Sequence, residues 1–193
     1  MTSNIVLLPL TQWAEGRLTD IFQATDEQTF GDAFDAFVAA EPASIVVNGQ
    51  KLTRAQYKSQ LWKDKFLEAG ASVQYLGAVS VPKDENKPVE AGEVGVFVSA
   101  TIDSKLLVLG GPESRTVTLS LNLIVIQDPT LKPPTLPTGV HGDFDGRRVS
   151  SITAVSTTNQ NAILLPLPNP TNPGGPIQPP GTNPGGPIKP PTA

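Results

Sequence analysis

His141 and Asp143 are the residues whose types and spacing best suit acid–base chemistry. They stand in Gly139–Val140–His141–Gly142–Asp143, a glycine-flanked stretch entering the last apolar run of the chain. An imidazole titrating near neutrality beside a carboxylate that orients it makes a general base with its partner. His141 is the chain's one histidine, and it reads alternatively as an exposed loop side chain. Tyr57, Trp62 and Tyr75 each join an apolar ring to a hydrogen-bond donor, which suits a pocket wall and equally a core or an interface. Asp32 and Asp35 fall on the outer side of an apolar helix pattern and read as solvated. Asp64 reads as a helix-surface partner of nearby lysines. Asp103 and Glu113 border a hairpin loop and read as turn residues.

Composition removes several chemistries. The 193 residues contain no cysteine, so disulfides, thiolate catalysis and Cys-based zinc sites are excluded. One histidine cannot supply a His-rich metal site, and no cofactor is expected. The net charge is −4 and the sequence pI about 4.9. The only adjacent basic pair is Arg147–Arg148, which argues against nucleic acid as a partner. No apolar run approaches the ~18 residues of a membrane span, and residues 5–8 are too short for a signal-peptide core. The expectation is a cytoplasmic protein with no membrane partner.

The elements that must position these residues follow from periodicity. A first helix is expected from Thr11 as N-cap to about Ala24, with Ala14, Leu18, Ile21 and Phe22 as its apolar stripe. Thr25 to Gln28 reads as a capping box opening a second helix, with Phe30, Phe34 and Phe37 on one face. Pro42 closes it. Residues 44–47 and 51–52 form a small edge ribbon about Asn48–Gly49. Thr53, with Gln56 at the reciprocal position, caps a third helix running to about Ala69 and stopped by Gly70. The period then changes to two. Val73, Tyr75, Gly77, Val79 and Val81 share a face, as do Val94 to Ile102 and Val117 to Val125, and residues 149–155 form a last strand. Helices followed by alternating strands mean α+β, with three N-terminal helices packed on a curved antiparallel sheet.

Three zones divide the chain: an extended arm over 1–10, a domain over 11–157, and a Pro/Gly-rich tail over 158–193. Residues 171–180, TNPGGPIQPP, return as 182–191, TNPGGPIKPP, an eleven-residue repeat. It cannot build a core and should be polyproline-like or flexible. The proline-rich tail has spacings that suit a polyproline-binding protein, with Lys189 as a basic contact. The arms 4–10, NIVLLPL, and 161–167, NAILLPL, nearly match and are apolar enough to pack on the domain or across a dimer.

Phe34 to Phe37, Ile45 to Val47 with Asn48–Gly49, Thr53 to Tyr57, and the run from Asp143 to Ile152 together resemble the nuclear transport factor 2-like superfamily, in its SnoaL-like branch. The resemblance covers about 11–155. It implies a cone-shaped α+β barrel enclosing a hydrophobic pocket, here lined by Phe34, Tyr57, Trp62 and Tyr75. It also implies a homodimer through the open face of the sheet, burying Leu119, Leu121 and Leu123 or their opposite-face neighbours Ile124 and Ile126. Three functions compete. The first is a non-catalytic module that binds a small apolar ligand or interacts and self-associates. The second is a cofactor-independent lyase, isomerase or cyclase acting on a small apolar carbonyl compound, with a buried acid or His141 as base. The third is a scaffold recruiting a polyproline-binding partner through the tail.

Overall fold

The computed structural model describes residues 7–65, 68–108, 111–132 and 144–161, without the side chains of Asp64, Gly111 and Pro112. His141, Asp143, the tail repeat and most of both arms lie outside the described residues.

Three helices and six strands follow in the order α1 (Leu10–Gln23), α2 (Glu27–Phe37), β1 (Ser44–Val47), β2 (Gln50–Lys51), α3 (Arg54–Lys65), β3 (Glu68–Pro82), β4 (Gly92–Val108), β5 (Gly111–Gln127) and β6 (Arg147–Gln160). The strands form one sheet in the order β2-β1-β6-β5-β4-β3. The four long strands are an antiparallel meander, as alternation predicts. β1, however, runs parallel to β6, with Ile45 opposite Ile152. The sheet is therefore mixed, not antiparallel throughout. An alternating pattern reports which face a strand buries but not the direction in which it runs.

Two helix starts differ from expectation: the cap of α1 lies two residues early, at Pro9 rather than Thr11, and that of α2 one residue late, at Asp26 rather than Thr25. α1 opens at Leu10 behind Pro9, with no side-chain cap. Pro9 presents a fixed φ suited to a helix start, and burial of Leu10 draws the first turn inward. α2 is capped by Asp26, whose carboxylate accepts from the Thr29 amide at 2.8 Å and the Thr29 hydroxyl at 2.7 Å. The capping box of α3 forms as the spacing predicts: Thr53 N–H donates to Gln56 Oε1 at 2.9 Å, and Gln56 N–H to Thr53 Oγ1 at 3.2 Å. Asn48 and Gly49 take φ of 50° and 80°, the left-handed pair that a two-residue hairpin demands.

Two differences matter for the site. α3 ends at Lys65, and Glu68 already opens β3, so Gly70 is a strand residue rather than a helix stop. In β3, pairing with β4 slips between Tyr75 and Gly77. The extra residue, Leu76, reverses the faces beyond it, so Ala78 turns inward opposite Val96 while Val79 and Val81 point to solvent. A second slip, between Ile124 and Val125, lets β6 bury Val149 and Ile152 on one face.

The core lies between the helices and the inner face of the meander. Phe30, Phe34 and Phe37 of α2 pack with Trp13 and Ile21 of α1 against Val94, Val96, Val98, Leu121 and Leu123. Each such side chain contributes about 1.5–3 kcal/mol on burial.

Candidate ligand cavity

β5 has 17 residues and β6 has 14, whereas α3 has only 12. A strand rises about 3.3 Å per residue and a helix 1.5 Å, so the helices are too short to cover the whole inner face. Val117 and Leu119 consequently sit half-buried on the wall of a cavity of about 220 Å³. Its other walls are Leu18, Ile21 and Phe22 of α1, Phe37 of α2, Val47, Ile102, and Ala154 and Ser156 of β6. α3 supplies Tyr57, Leu61 and Lys65, a stripe at four-residue spacing on one face.

Most of this lining is apolar, but one end carries buried charge. Lys65, the last residue of α3, and Glu68, the first of β3, are about 5% exposed or less. Lys65 Nζ donates to Glu68 Oε2 at 2.6 Å and to the Phe22 carbonyl at 2.8 Å. That carbonyl lies in the last turn of α1, where a cation is favoured. Arg115 reaches the other carboxylate oxygen, Oε1, at 3.0 Å. The register brings it there: β4 sets Ser104 opposite Glu68 and Ile102 opposite Arg115. A smaller cavity of about 120 Å³, bordered also by Ser104, Glu113 and Gln160, shares Glu68, Ile102 and Arg115 with the larger one.

At the other end of the stripe stands Tyr57. It is 7% exposed, and its hydroxyl has no hydrogen-bond partner among the described residues. Burial pushes its pKa up to about 12, so it is a protonated donor at neutral pH.

No family model and no curated protein matches the chain. Among solved structures it is similar to the Kfla4162 protein from Kribbella flavida, at 16% identity and a TM-score of 0.52, covering 78% of this chain and 89% of that one. It also aligns with an NTF2-like protein of unknown function from Exiguobacterium sp. 255-15, at 16% identity and a TM-score of 0.38, covering 76% and 98%. The first likeness is one of fold. Together with three helices, a short hairpin and a long meander on one mixed sheet, it decides the architecture. The chain shares the fold of that Kribbella flavida protein.

Within this fold, the aromatic residues singled out by sequence separate. Tyr57 lies on the cavity wall. Phe34 is wholly buried behind it, its ring 5.9 Å from Tyr57 and 6.1 Å from Phe30. Arg54 and Lys58 stand over the Phe34 ring at 5.1 and 5.4 Å. Trp62 turns away from the cavity, packing on Phe30 at 5.3 Å in an open groove between α2 and α3. Tyr75 points at α1, donating to the Glu15 carbonyl and sharing a 2.9 Å hydrogen bond with the Thr19 hydroxyl. Burial raises its pKa also. Asp35, placed on the surface by sequence, is held by both Arg54 and Lys58. Burial alone would raise its pKa, but these hydrogen bonds outweigh it and hold the carboxyl low.

Sequence reasoning missed Lys65, Glu68 and Arg115. Lys65 and Glu68 are three apart and look like a surface pair on a continuing helix. Arg115 did carry a signal: it falls in the inward phase of β5, two residues before Val117, where a charge must find a buried partner. Among the described residues, no group of three or more His, Cys, Asp or Glu side chains is placed to hold a metal ion, and no helix is long and apolar enough to cross a membrane.

Proposed function

We propose that this chain is a SnoaL-like, cone-shaped module that binds a small, mainly apolar ligand without transforming it, and that it self-associates. The observation that carries the reading is the 220 Å³ cavity between α1, α3 and the inner face of β5 and β6, with its apolar walls and the open donor of Tyr57. Pockets of this construction, apolar with a few placed polar groups, are the usual form of small-molecule sites.

The non-catalytic reading is favoured over a lyase, isomerase or cyclase by Glu68. It is the one carboxylate among the described lining residues, and each of its oxygens already accepts from a cation. A proton taken from a substrate would have to go onto a carboxylate that two cations already hold.

Self-association is assigned to the outer face of the sheet, with a second copy as the occupant. Phe97 and Val155 flank Ser120 in one row, and Val79, Gly95, Asn122 and Thr153 form the next. The second row continues through Val46 to Lys51 at the sheet edge, and Glu93 in the adjoining row accepts from Asn122 at 2.7 Å. The apolar, uncharged middle of this face offers little to steer a charged partner and suits an isologous contact with a second copy.

Native mass spectrometry of protein purified without added ligand tests both parts. A dimer carrying a reproducible small-molecule mass is expected. A bare monomer that takes up no apolar probe would overturn the proposal.

A further inference from the structure

We infer that the cavity selects an amphipathic monoanion, a small apolar body ending in a carboxylate or comparable acid, with the anionic end at Lys65 and Arg115. The inference deepens the ligand-binding reading above and rests on it.

Charge is the first argument. Lys65, Glu68 and Arg115 all line the cavity, two cations against one carboxylate. The other polar lining residues, including Tyr57, Gln60, Ser156 and Thr158, are neutral at pH 7. Glu113 borders the smaller cavity instead. Among the described lining residues the positive charges outnumber the negative, at an end where burial weakens screening by salt.

Donor geometry is the second. A lysine ammonium has three N–H donors. One of Lys65's meets Glu68 Oε2, one meets the Phe22 carbonyl, and the third has no partner among the described residues. Lys65 is almost completely buried and lines the cavity, so a bound ligand can reach that donor. A charged acceptor is the strongest partner available to it. Glu68 already meets Lys65 through Oε2 and Arg115 through Oε1, the latter at 3.0 Å.

Shape is the third. From Lys65 the α3 stripe continues through Leu61 to Tyr57, roughly 12 Å along the helix at 1.5 Å per residue. Leu18, Leu119 and Leu121 face that stripe. At ~30 Å³ per water, a 220 Å³ cavity admits a body of modest length. A short-chain acid fits this outline, with its chain among the leucines and its head at the ammonium.

The test is calorimetric titration of the full chain with octanoate, octanol and octylammonium. Octanoate is expected to bind about tenfold or more tightly than octanol, and octylammonium more weakly still. Glu68→Gln, which removes the competing negative charge, should tighten octanoate several-fold and leave octanol unchanged. Lys65→Met should abolish the preference for the acid. Because that substitution leaves Glu68 with one cation fewer, a melting curve must accompany it, and Glu68→Gln carries the test if it unfolds. Octanol or octylammonium binding as tightly as octanoate would overturn the assignment while leaving the cavity reading intact, as would an octanoate affinity that Glu68→Gln leaves unchanged. No binding by any of the three would overturn the cavity reading with it.

Discussion

Arg147 lies with its guanidinium carbon 5.3 Å from the centre of the Trp13 ring. It is only 2% exposed. Its Nη1 donates to the carbonyls of Leu8 and Val89 at 2.7 and 3.0 Å, and its Nε and Nη2 grip the Asp145 carboxylate at 2.9 and 3.0 Å. One side chain thus ties the segment before α1, the β3–β4 connection and the start of β6 to the first helix. Arg147→Met should cost about 3–5 kcal/mol, because it strands Asp145 and two carbonyls. Arg147→Lys should recover little, since an ammonium cannot make the forked contact. Urea denaturation of the three proteins decides this, and a loss below 1 kcal/mol in the Met variant would show the latch to be dispensable.

The same contact sets an acid limit. Burial alone would raise the Asp145 pKa, but the hydrogen bonds and charge of Arg147 outweigh it and hold the carboxyl below its ordinary 3.8. A lowered folded pKa means stabilisation that is whole above 3.8 and lost as pH falls through the folded value. Asp145→Asn should therefore be less stable than the parent at pH 7 and should lose less on further acidification. Parallel acid limbs would refute this account.

Much of this architecture is legible in the sequence, for physical reasons. Alternation from Val94 to Ile102 reports one buried face, and the Asn48–Gly49 pair reports a hairpin because few other residues tolerate its left-handed φ. Thr53 with Gln56 marks a helix start through two reciprocal hydrogen bonds. What sequence could not report depends on partners far along the chain. The bulge at Leu76 reverses Val79 and Val81 through pairing with β4. The direction of β1 depends on β6, more than 100 residues later. At the site, Tyr57 belongs to a helix stripe and so can be placed from its own neighbours. Trp62 and Tyr75 are equally aromatic, and only tertiary packing shows that they face elsewhere. The cluster of Lys65, Glu68 and Arg115 exists because α3 stops at Lys65, a boundary that no capping residue announces.

Phe34 is the centre of the aromatic layer, at 0% exposure between Phe30 and Tyr57. Phe34→Ala should cost about 3–5 kcal/mol, the transfer loss plus the void left among rigid rings. Arg54 and Lys58 would also lose the ring face beneath them. Thermal and urea melts should agree. A cost near 1 kcal/mol would mean that the layer collapses freely around the gap.

The two tyrosines of the chain give a spectroscopic handle on the cavity. Desolvation raises both, Tyr57 to about 12. In the folded protein tyrosinate absorbance should lag behind that of the urea-unfolded protein, with the Tyr57 part rising only near pH 12, whereas in urea both should titrate near the ordinary 10.0. Because the folded state holds the Tyr57 proton more tightly, its stabilising contribution is whole below pH 10 and drains away as pH climbs towards 12. Tyr57→Phe should remove that part of the alkaline loss. Ionisation of both tyrosines near 10 in the native protein would place Tyr57 in water and contradict its burial.

Self-association through the outer sheet makes the last prediction. Phe97 and Val155 are 45% and 64% exposed and lie either side of Ser120. Ile124 and Val79 are exposed on neighbouring rows. Apolar groups this exposed on a sheet face with few charges should be covered by the second copy. Phe97→Glu combined with Val155→Glu would place like charges close together on both faces of a symmetric contact, where they repel. The double variant should run as a monomer by light scattering where the parent runs as a dimer. Its monomer fold should be unchanged, since neither side chain reaches the core and surface substitutions usually act within about 0.5 kcal/mol. Leu119, Leu121 and Leu123 point the other way, into the cavity wall and core, so a charge at Leu121 should instead unfold the protein. A parent that is monomeric at high concentration would remove the outer face from consideration, and a double variant that remains dimeric would move the contact elsewhere on the surface.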